Sequence, residues 1–198
     1  ESPIPDAREA QQFIGSEIKI VSDTQVEGYT RIRGGWNNGK AYTVYFFAQT
    51  DRPFVDWKTW KGDQISKEAI QFDSYQKTGA LLRFANNDSV VNLKIGISFI
   101  SSAKAHENLK RDIPHWSFNE VLENLTSEWE KLLCKISISE NASEKQKKMF
   151  YTGLYHTMIM PADRSGENPL WFDNEPYYDD FYAIWDTYRT SLPLITII

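Results

Sequence analysis

The stretch VNLKIGISFISSAKAHENLK, residues 91–110, contains the change of pattern that decides the fold class. In residues 91–100 apolar side chains alternate with polar or small ones, which is the period-two pattern of a half-buried strand. Ser101 and Ser102 then supply hydroxyls that can cap a helix, and the residues after them predict a helix through about Lys110. The chain therefore changes from strand to helix near residue 101.

Several further strands are predicted before this change. Turn signals rich in Gly, Asn, Asp and Pro separate them, and no long helical crossover of the kind that a parallel sheet needs lies between them. The predicted strands are Glu17–Val21, Tyr29–Arg33, Ala41–Gln49, Phe54–Trp57 and Gly79–Phe84. Short strands at this spacing predict an antiparallel β-sandwich.

Two further helices are predicted after the change, and each opens with a capping signature. Ser117 with Glu120 fits a capping box, and a continuous apolar stripe follows it for four turns. Ser143 with Gln146 repeats the signature and predicts a helix that stops at Pro161. The second half of the chain is therefore expected to be largely helical.

The whole net charge of −5 lies in residues 151–198, where seven acidic residues stand against Arg164 and Arg189. This segment also carries ten aromatic residues. Such a segment excludes a nucleic-acid surface, which needs clustered Lys and Arg. Residues 162–182 within it predict an irregular loop of a length that is usually functional or disordered, and its six aromatic residues argue against disorder. A last element of helical pattern begins near Ile184.

The bulk composition, 41% apolar and 25% charged, is that of an ordinary globular protein. The single cysteine, Cys134, excludes an internal disulfide framework and a cysteine-based zinc site. No apolar run is long enough to span a membrane. The sequence lacks an initiator Met and stops in the apolar run Leu194–Ile198, so we expect an internal fragment of a longer protein.

The most specific candidate for chemistry is the segment WDTYR, residues 185–189. An Asp just inside a new helix can cap it, and Arg189 falls three residues beyond Asp186 on the same face. Two interpretations stay open: a structural ion pair between Asp186 and Arg189, or a pair that holds a polar ligand with Trp185 as a wall.

Other candidate residues carry weaker signals. The aromatic-rich loop contains four acids that suit either sugar recognition or a solvated surface: Asp173, Glu175, Asp179 and Asp180. Trp36 follows Gly34-Gly35 and is either an anchor of a tight turn or a residue presented at a domain interface. Three scattered His residues predict no metal site, and three glycosylation sequons, at Asn87, Asn124 and Asn141, occur often enough by chance to mean little.

Taken in order, the motifs resemble glycoside hydrolase family 92, the calcium-dependent exo-acting α-mannosidases. The residues that carry the resemblance are Gly28-Tyr29, Arg33-Gly34-Gly35-Trp36, Val44–Ala48, Gly96–Ser101, Ala105, Asn108-Leu109, Ile113–Phe118, Trp129–Leu133, Phe150–Thr157, Trp185–Arg189 and Pro193-Leu194. Each motif alone is weak, but their order and spacing run through nearly the whole chain.

The resemblance implies a β-sandwich joined by linker helices to an (α/α)6 barrel. Residues 1–100 are then the later part of the sandwich, residues 101–143 the helical linker, and residues 144–198 the start of the catalytic barrel. It also implies a secreted or periplasmic enzyme that inverts configuration and cleaves terminal α-mannosidic bonds, in particular α-1,2 bonds, in mannose-containing glycans. As a piece of such an enzyme, the chain alone is expected to be inactive.

The resemblance assigns few site residues to this chain. The family's catalytic acid and base and its Ca²⁺ ligands are expected beyond Ile198, so the chain itself has no catalytic or metal-binding residue. The resemblance places Trp185 and Asp186 in the sugar-binding subsite, with Arg189 as an orienting partner and Trp36 as a wall from the sandwich side.

Two alternatives remain at the level of sequence. One is another inverting hydrolase or phosphorylase that joins a β-sandwich to an (α/α)6 barrel and acts on glucosides. The other is a non-catalytic module that binds sugars or serves a structural role.

Overall fold

A computed structural model describes residues 11–34, 40–85, 90–171, 173 and 175–198. The chain divides into two compact units, Glu1–Trp116 and Ser117–Ile198. In the described residues, no helix is both long enough and apolar enough to cross a membrane.

The first unit is built on two antiparallel sheets, as predicted. Its strands are β1 Gln11–Ile20, β2 Gln25–Gly34, β3 Tyr42–Thr50, β4 Asp56–Lys61, β5 Gln64–Ser66, β6 Ile70–Asp73, β7 Thr78–Arg83 and β8 Leu93–Ser98. The larger sheet has the order β6-β1-β2-β3-β8 and the smaller one the order β5-β4-β7, with antiparallel pairing throughout. The short strands β5 and β6 were not predicted, because three or four residues give too little alternation to read.

The core of the first unit lies between the two sheets. Ile18 and Val26 of the larger sheet and Phe54, just before β4, are almost completely buried there. Their burial follows from the alternation along β1 and β2, which turns every second side chain toward the smaller sheet. The Ser16 and Thr78 hydroxyls, 2.9 Å apart, add a polar link between the sheets.

Helix α1, Ser102–Asp112, covers the other face of the larger sheet. Ser101 caps it as predicted, since its hydroxyl accepts a hydrogen bond from the Lys104 N–H at 3.1 Å. Ala105 and Leu109 pack on Phe47 of β3 and are at most 2% exposed. The predicted change from strand to helix is therefore also the place where the chain folds back over its own sheet.

The buried face of β8 is the opposite of the one that the alternation predicts. The apolar side chains of Leu93, Ile95 and Ile97 are at least half exposed, whereas Gly96 and Ser98 are buried. Helix α1 lies so close to Gly96 that a Cβ at that position would collide with the Ala105 carbonyl oxygen. The close approach of the helix thus selects the small residues for the buried face, and the strand assignment is right while its orientation is wrong.

The second unit is mostly helical. Its helices are α2 Phe118–Leu133, α3 Glu144–Thr157, α4 Ile184–Thr187 and α5 Ser191–Ile197. The capping box at Ser143 is confirmed in both directions: its hydroxyl accepts from the Gln146 N–H, and its own N–H donates to the Gln146 side chain. Helices α2 and α3 contact through Trp129 and Tyr155, whose ring centroids are 4.6 Å apart.

The segment 162–182, predicted to be irregular, is closed by a short ladder. Strand β9, Ala162–Asp163, pairs with β10, Tyr178–Asp179. The Arg164 N–H donates to the Tyr177 carbonyl at 2.7 Å and extends the ladder. Two-residue strands leave no periodic pattern, so this pairing could not be predicted from the sequence.

Candidate functional site

The short helix α4 positions the predicted sugar-binding segment. It starts after Ala183, which supplies no side-chain cap, and Asp186 lies in its first turn with its N–H donating to the Ala183 carbonyl at 3.0 Å. The prediction that Asp186 caps this helix is therefore wrong. Across the described residues the Asp186 carboxylate makes no hydrogen bond and no ion pair, so both of its oxygens remain available to a ligand.

Arg189 does not pair with Asp186 in the part of the chain that the structure describes. Helix α4 ends at Thr187, and the Arg189 guanidinium carbon lies 5.0 Å from the ring centroid of the neighbouring Tyr188. The expected contact at a spacing of three residues needs a continuous helix. The structure thus disfavours the interpretation of a structural ion pair, and it leaves Arg189 oriented by an aromatic face.

Trp185 is strongly exposed, with 80% of its surface accessible. The anchor of the segment is Thr187, which is 9% exposed and whose hydroxyl donates to the Ala183 carbonyl at 3.2 Å. The Thr190 hydroxyl donates in the same way to the Asp186 carbonyl at 2.8 Å. Two threonines therefore hold the backbone, while the indole and the carboxylate beside them face solvent.

Trp36 and His156 are not part of the segment 185–189. Trp36 falls outside the described residues. His156 lies in the last turn of α3, where its carbonyl accepts a hydrogen bond from the Tyr182 hydroxyl at 3.1 Å. This bond ties the end of the 162–182 segment to α3 close to the start of α4. Sequence reasoning gave no role to Tyr182 or to Thr187, because single threonines and tyrosines carry no recognisable signal.

The acids of the 162–182 segment are mostly engaged within it. Asp180 forms an ion pair with Arg164 at 2.6 Å, and Asp179 accepts a hydrogen bond from the Tyr177 hydroxyl at 3.2 Å. Burial, together with the Asp179 charge, raises the pKa of Tyr177 above its usual value. Asp173 accepts from the Glu175 N–H at 2.9 Å. These contacts shape the loop and engage three of its four candidate acids within it.

The described residues contain no group of three or more His, Cys, Asp or Glu side chains arranged to hold a metal ion. The prediction that the ligands lie beyond Ile198 stays a prediction.

A cavity of about 400 Å³ opens between the two sheets of the first unit. Its walls are mainly apolar, with Phe13, Ile32, Val44 and Trp60 among them. Polar side chains also line the cavity, among them Gln11, Glu17, Tyr29 and Lys77.

Comparison with family models matches the chain in two consecutive pieces. Residues 4–98 match the glycosyl hydrolase family 92 N-terminal domain, and residues 104–198 match the glycosyl hydrolase family 92 catalytic domain. Between them the two models leave only the first three residues and the short stretch 99–103 unmatched.

One curated relative is 38% identical over 121 residues, which is 58% of this chain and 16% of the relative. It is described as an uncharacterized secreted glycosidase of Arthroderma benhamiae. This chain thus spans about a sixth of that protein.

Solved structures share the fold. A family GH92 α-mannosidase of Bacteroides thetaiotaomicron superposes with a TM-score of 0.78 at 23% identity, over 93% of this chain and 26% of that one. A family GH92 inverting mannosidase of the same organism superposes with a TM-score of 0.76 at 24% identity. The match again covers 93% of this chain and 26% of that one. At these identities the likeness shows the fold, which is an antiparallel β domain followed by the start of a helical domain.

Proposed function

The chain belongs to glycosyl hydrolase family 92, and on that premise we propose that its parent protein hydrolyses terminal α-mannosidic bonds in mannose-containing glycans. The observation that carries the proposal is the order of the two family models, N-terminal domain then catalytic domain, over residues 4–198. The solved structures that share the fold include one of an α-mannosidase in complex with mannoimidazole. The preferred linkage in this proposal is α-1,2.

The proposed reaction proceeds with inversion of configuration. A carboxylic acid protonates the leaving oxygen while a second carboxylate, roughly 6.5–9.5 Å away, activates a water on the opposite face of the sugar. We assign neither carboxylate to these 198 residues. The chain's contribution in this proposal is to binding.

Within the chain we assign sugar binding to the segment at α4. The exposed Trp185 ring suits stacking on a pyranose face, and the unengaged Asp186 carboxylate suits hydrogen bonds from sugar hydroxyls. Arg189, held against Tyr188, is the orienting partner. Trp36 remains the proposed wall from the sandwich side.

Calcium dependence is part of the same proposal, with the ligands outside the described residues. It is tested on the whole parent protein by adding a chelator selective for Ca²⁺. Activity should fall and should return when Ca²⁺, but not Mg²⁺, is restored in excess.

Secretion is proposed on the likeness to the Arthroderma benhamiae relative, which is described as secreted. The periplasm is the equivalent destination in a bacterial host. Fractionation of cells that produce the parent should recover the protein outside the cytoplasm.

The proposed function is tested by profiling the whole parent protein on aryl α-mannosides and aryl α-glucosides. We expect turnover of the mannosides with kcat/KM at least about 100-fold above that for the glucosides, because the axial hydroxyl of mannose is the group that such a site must recognise. Turnover of glucosides alone would instead identify an inverting hydrolase or phosphorylase of the glucoside class. Glycan binding without any turnover would identify a non-catalytic module.

A further inference from the structure

The three sequons of the chain are equivalent in sequence but not in structure. The first, at Asn87, lies outside the described residues. The second, Asn124–Thr126, lies inside the hydrogen-bonded helix α2, and the third, Asn141–Ser143, lies in the exposed connection between α2 and α3. Sequons that carry glycans lie in surface loops, and of these two sequons only the third lies in such a connection in the folded chain.

The turn around Asn141 is stabilised by hydrogen bonds from backbone N–H groups to Ser139. The Asn141 N–H donates to the Ser139 hydroxyl at 3.2 Å, and the Ala142 N–H donates to the Ser139 carbonyl at 3.0 Å. Within the described stretch 90–171 the side-chain amide of Asn141 makes no hydrogen bond, and the residue is exposed. A group attached to this amide therefore costs the turn no contact.

The hydroxyl of the same sequon has a separate task after folding. Ser143 caps α3, and its hydroxyl and Gln146 side-chain oxygen are 2.9 Å apart. Glycans are transferred to chains that have not yet folded, so the hydroxyl is available during transfer and becomes the cap afterwards. A glycan on Asn141, two residues before the cap, leaves the start of α3 intact.

We propose that Asn141 is an N-glycosylation site of the parent protein when it passes through a eukaryotic secretory pathway. The donor is a lipid-linked oligosaccharide whose first sugar is N-acetylglucosamine. A bond forms between the Asn141 Nδ2 and C1 of that sugar, the bond from C1 to the lipid pyrophosphate breaks, and the pyrophosphate leaves with its lipid. The amide loses one proton to the transferase. The site depends on the secretion proposed above and not on mannosidase activity.

The test is secretion of the whole parent protein from a yeast or insect host under the host's own signal peptide, so that entry into the pathway does not depend on the parent. The secreted protein is treated with peptide N-glycosidase in ¹⁸O water, which converts each glycosylated Asn to labelled Asp. We expect label at residue 141, with or without label at the other sequons. Secreted protein without label at residue 141 would overturn the proposal.

Matched variants make the result specific. Asn141→Gln should remove the glycan at this site and leave the urea unfolding midpoint of deglycosylated protein unchanged, because the amide makes no contact in the turn. Ser143→Thr keeps both the sequon and a capping hydroxyl, so label at residue 141 should remain. Asn124→Gln should leave the label at residue 141 unchanged. Hydrolysis of an aryl α-mannoside, measured on the same samples, reports separately on the proposed function.

Discussion

The availability of Asp186 to a ligand follows from the residues around it. Thr187 and Thr190 satisfy the backbone carbonyls of the segment, and the Tyr188 ring holds Arg189 away from the carboxylate. An exposed acid without a partner contributes little to folding. Its substitution therefore separates a role in binding from a role in stability.

We predict that Asp186→Asn in the whole parent protein lowers kcat/KM on an α-mannoside about 100-fold, equivalent to about 2.7 kcal/mol of lost transition-state stabilisation. Trp185→Ala should lower it about 10-fold or more through loss of stacking. The unfolding midpoint in urea should not move for Asp186→Asn.

Asp63→Asn is the matched control for this prediction. Asp63 is an exposed acid at the turn between β4 and β5, so its substitution should leave kcat/KM unchanged. Equal losses of kcat/KM in the two variants would show that Asp186 is not part of the binding site.

The pH dependence of stability is predicted at Asp73. Its carboxylate accepts hydrogen bonds from the Tyr75 N–H at 2.6 Å and the Gln76 N–H at 2.8 Å, and these two bonds hold its pKa below the usual value. A carboxyl whose pKa is lower in the folded state contributes stability that is complete above the unfolded pKa of about 4. That contribution is lost as the pH falls through the folded pKa.

Asp73→Asn keeps an oxygen that can accept both hydrogen bonds but removes the charge. The gap in unfolding free energy between the wild-type chain and this variant should therefore be constant above about pH 5 and should shrink as the pH falls below 4. Urea titrations at a series of pH values measure the gap. A gap that stays constant down to pH 2 would show that Asp73 has an ordinary pKa in the folded chain.

The contact between Asp186 and Arg189 could not be predicted from the sequence alone. Trp185 and Asp186 were found by motif, but the spacing of Asp186 and Arg189 left an ion pair and a ligand pair equally open. The outcome depends on where α4 ends, and a four-residue helix has no periodic signal that marks its end.

At the scale of elements, the starts of helices α1, α2 and α3 were predicted correctly, because each is decided by residues that are neighbours in the sequence. The caps at Ser101, Ser117 and Ser143 are confirmed, since each hydroxyl accepts from the N–H three residues on. The orientation of β8 could not be read in the same way, because it is set by the helix that packs on it and not by the alternation along the strand. The apolar side chains of β8 are exposed for that reason.

Gly96 is the residue on which this packing depends. An added methyl group would meet the Ala105 carbonyl oxygen and lie 2.7 Å from the Leu109 Cβ, both on the rigid helix α1. We predict that Gly96→Ala lowers the unfolding free energy of the chain by at least about 2 kcal/mol, since the helix must move off the sheet. Urea unfolding followed by circular dichroism measures the change.

Gly153→Ala is the matched control. Gly153 lies in α3, and no atom lies within 4 Å of the position that its Cβ would occupy. The substitution should stabilise the chain by up to about 1 kcal/mol through helix propensity. A Gly96→Ala variant as stable as the wild-type chain would mean that α1 is not seated on β8.

At the scale of the whole molecule, the order of the elements is the most predictable feature. The strands, the change near residue 101 and the capped helices were read from the sequence, and the family models fall on the same order. The predicted division at residues 100 and 143 stays a prediction. Along the sequence, one compact unit ends at Trp116 and the other begins at Ser117.

The chain covers 26% of the length of each of the two solved mannosidase chains that share its fold. We predict that these 198 residues alone, incubated with an aryl α-mannoside and Ca²⁺, show no turnover above the uncatalysed rate, because both catalytic carboxylates are assigned outside them. Turnover approaching that of the whole parent protein would place the carboxylates within this chain.

The central claim, an inverting α-mannosidase, is tested most directly by the anomer that the whole parent protein releases from α-1,2-linked mannobiose. Proton NMR during the first minutes of the reaction distinguishes the anomers before they interconvert. We expect β-mannose to appear first and the α-anomer to follow only by mutarotation. Initial release of α-mannose, or a folded parent protein that leaves the disaccharide intact, would contradict it.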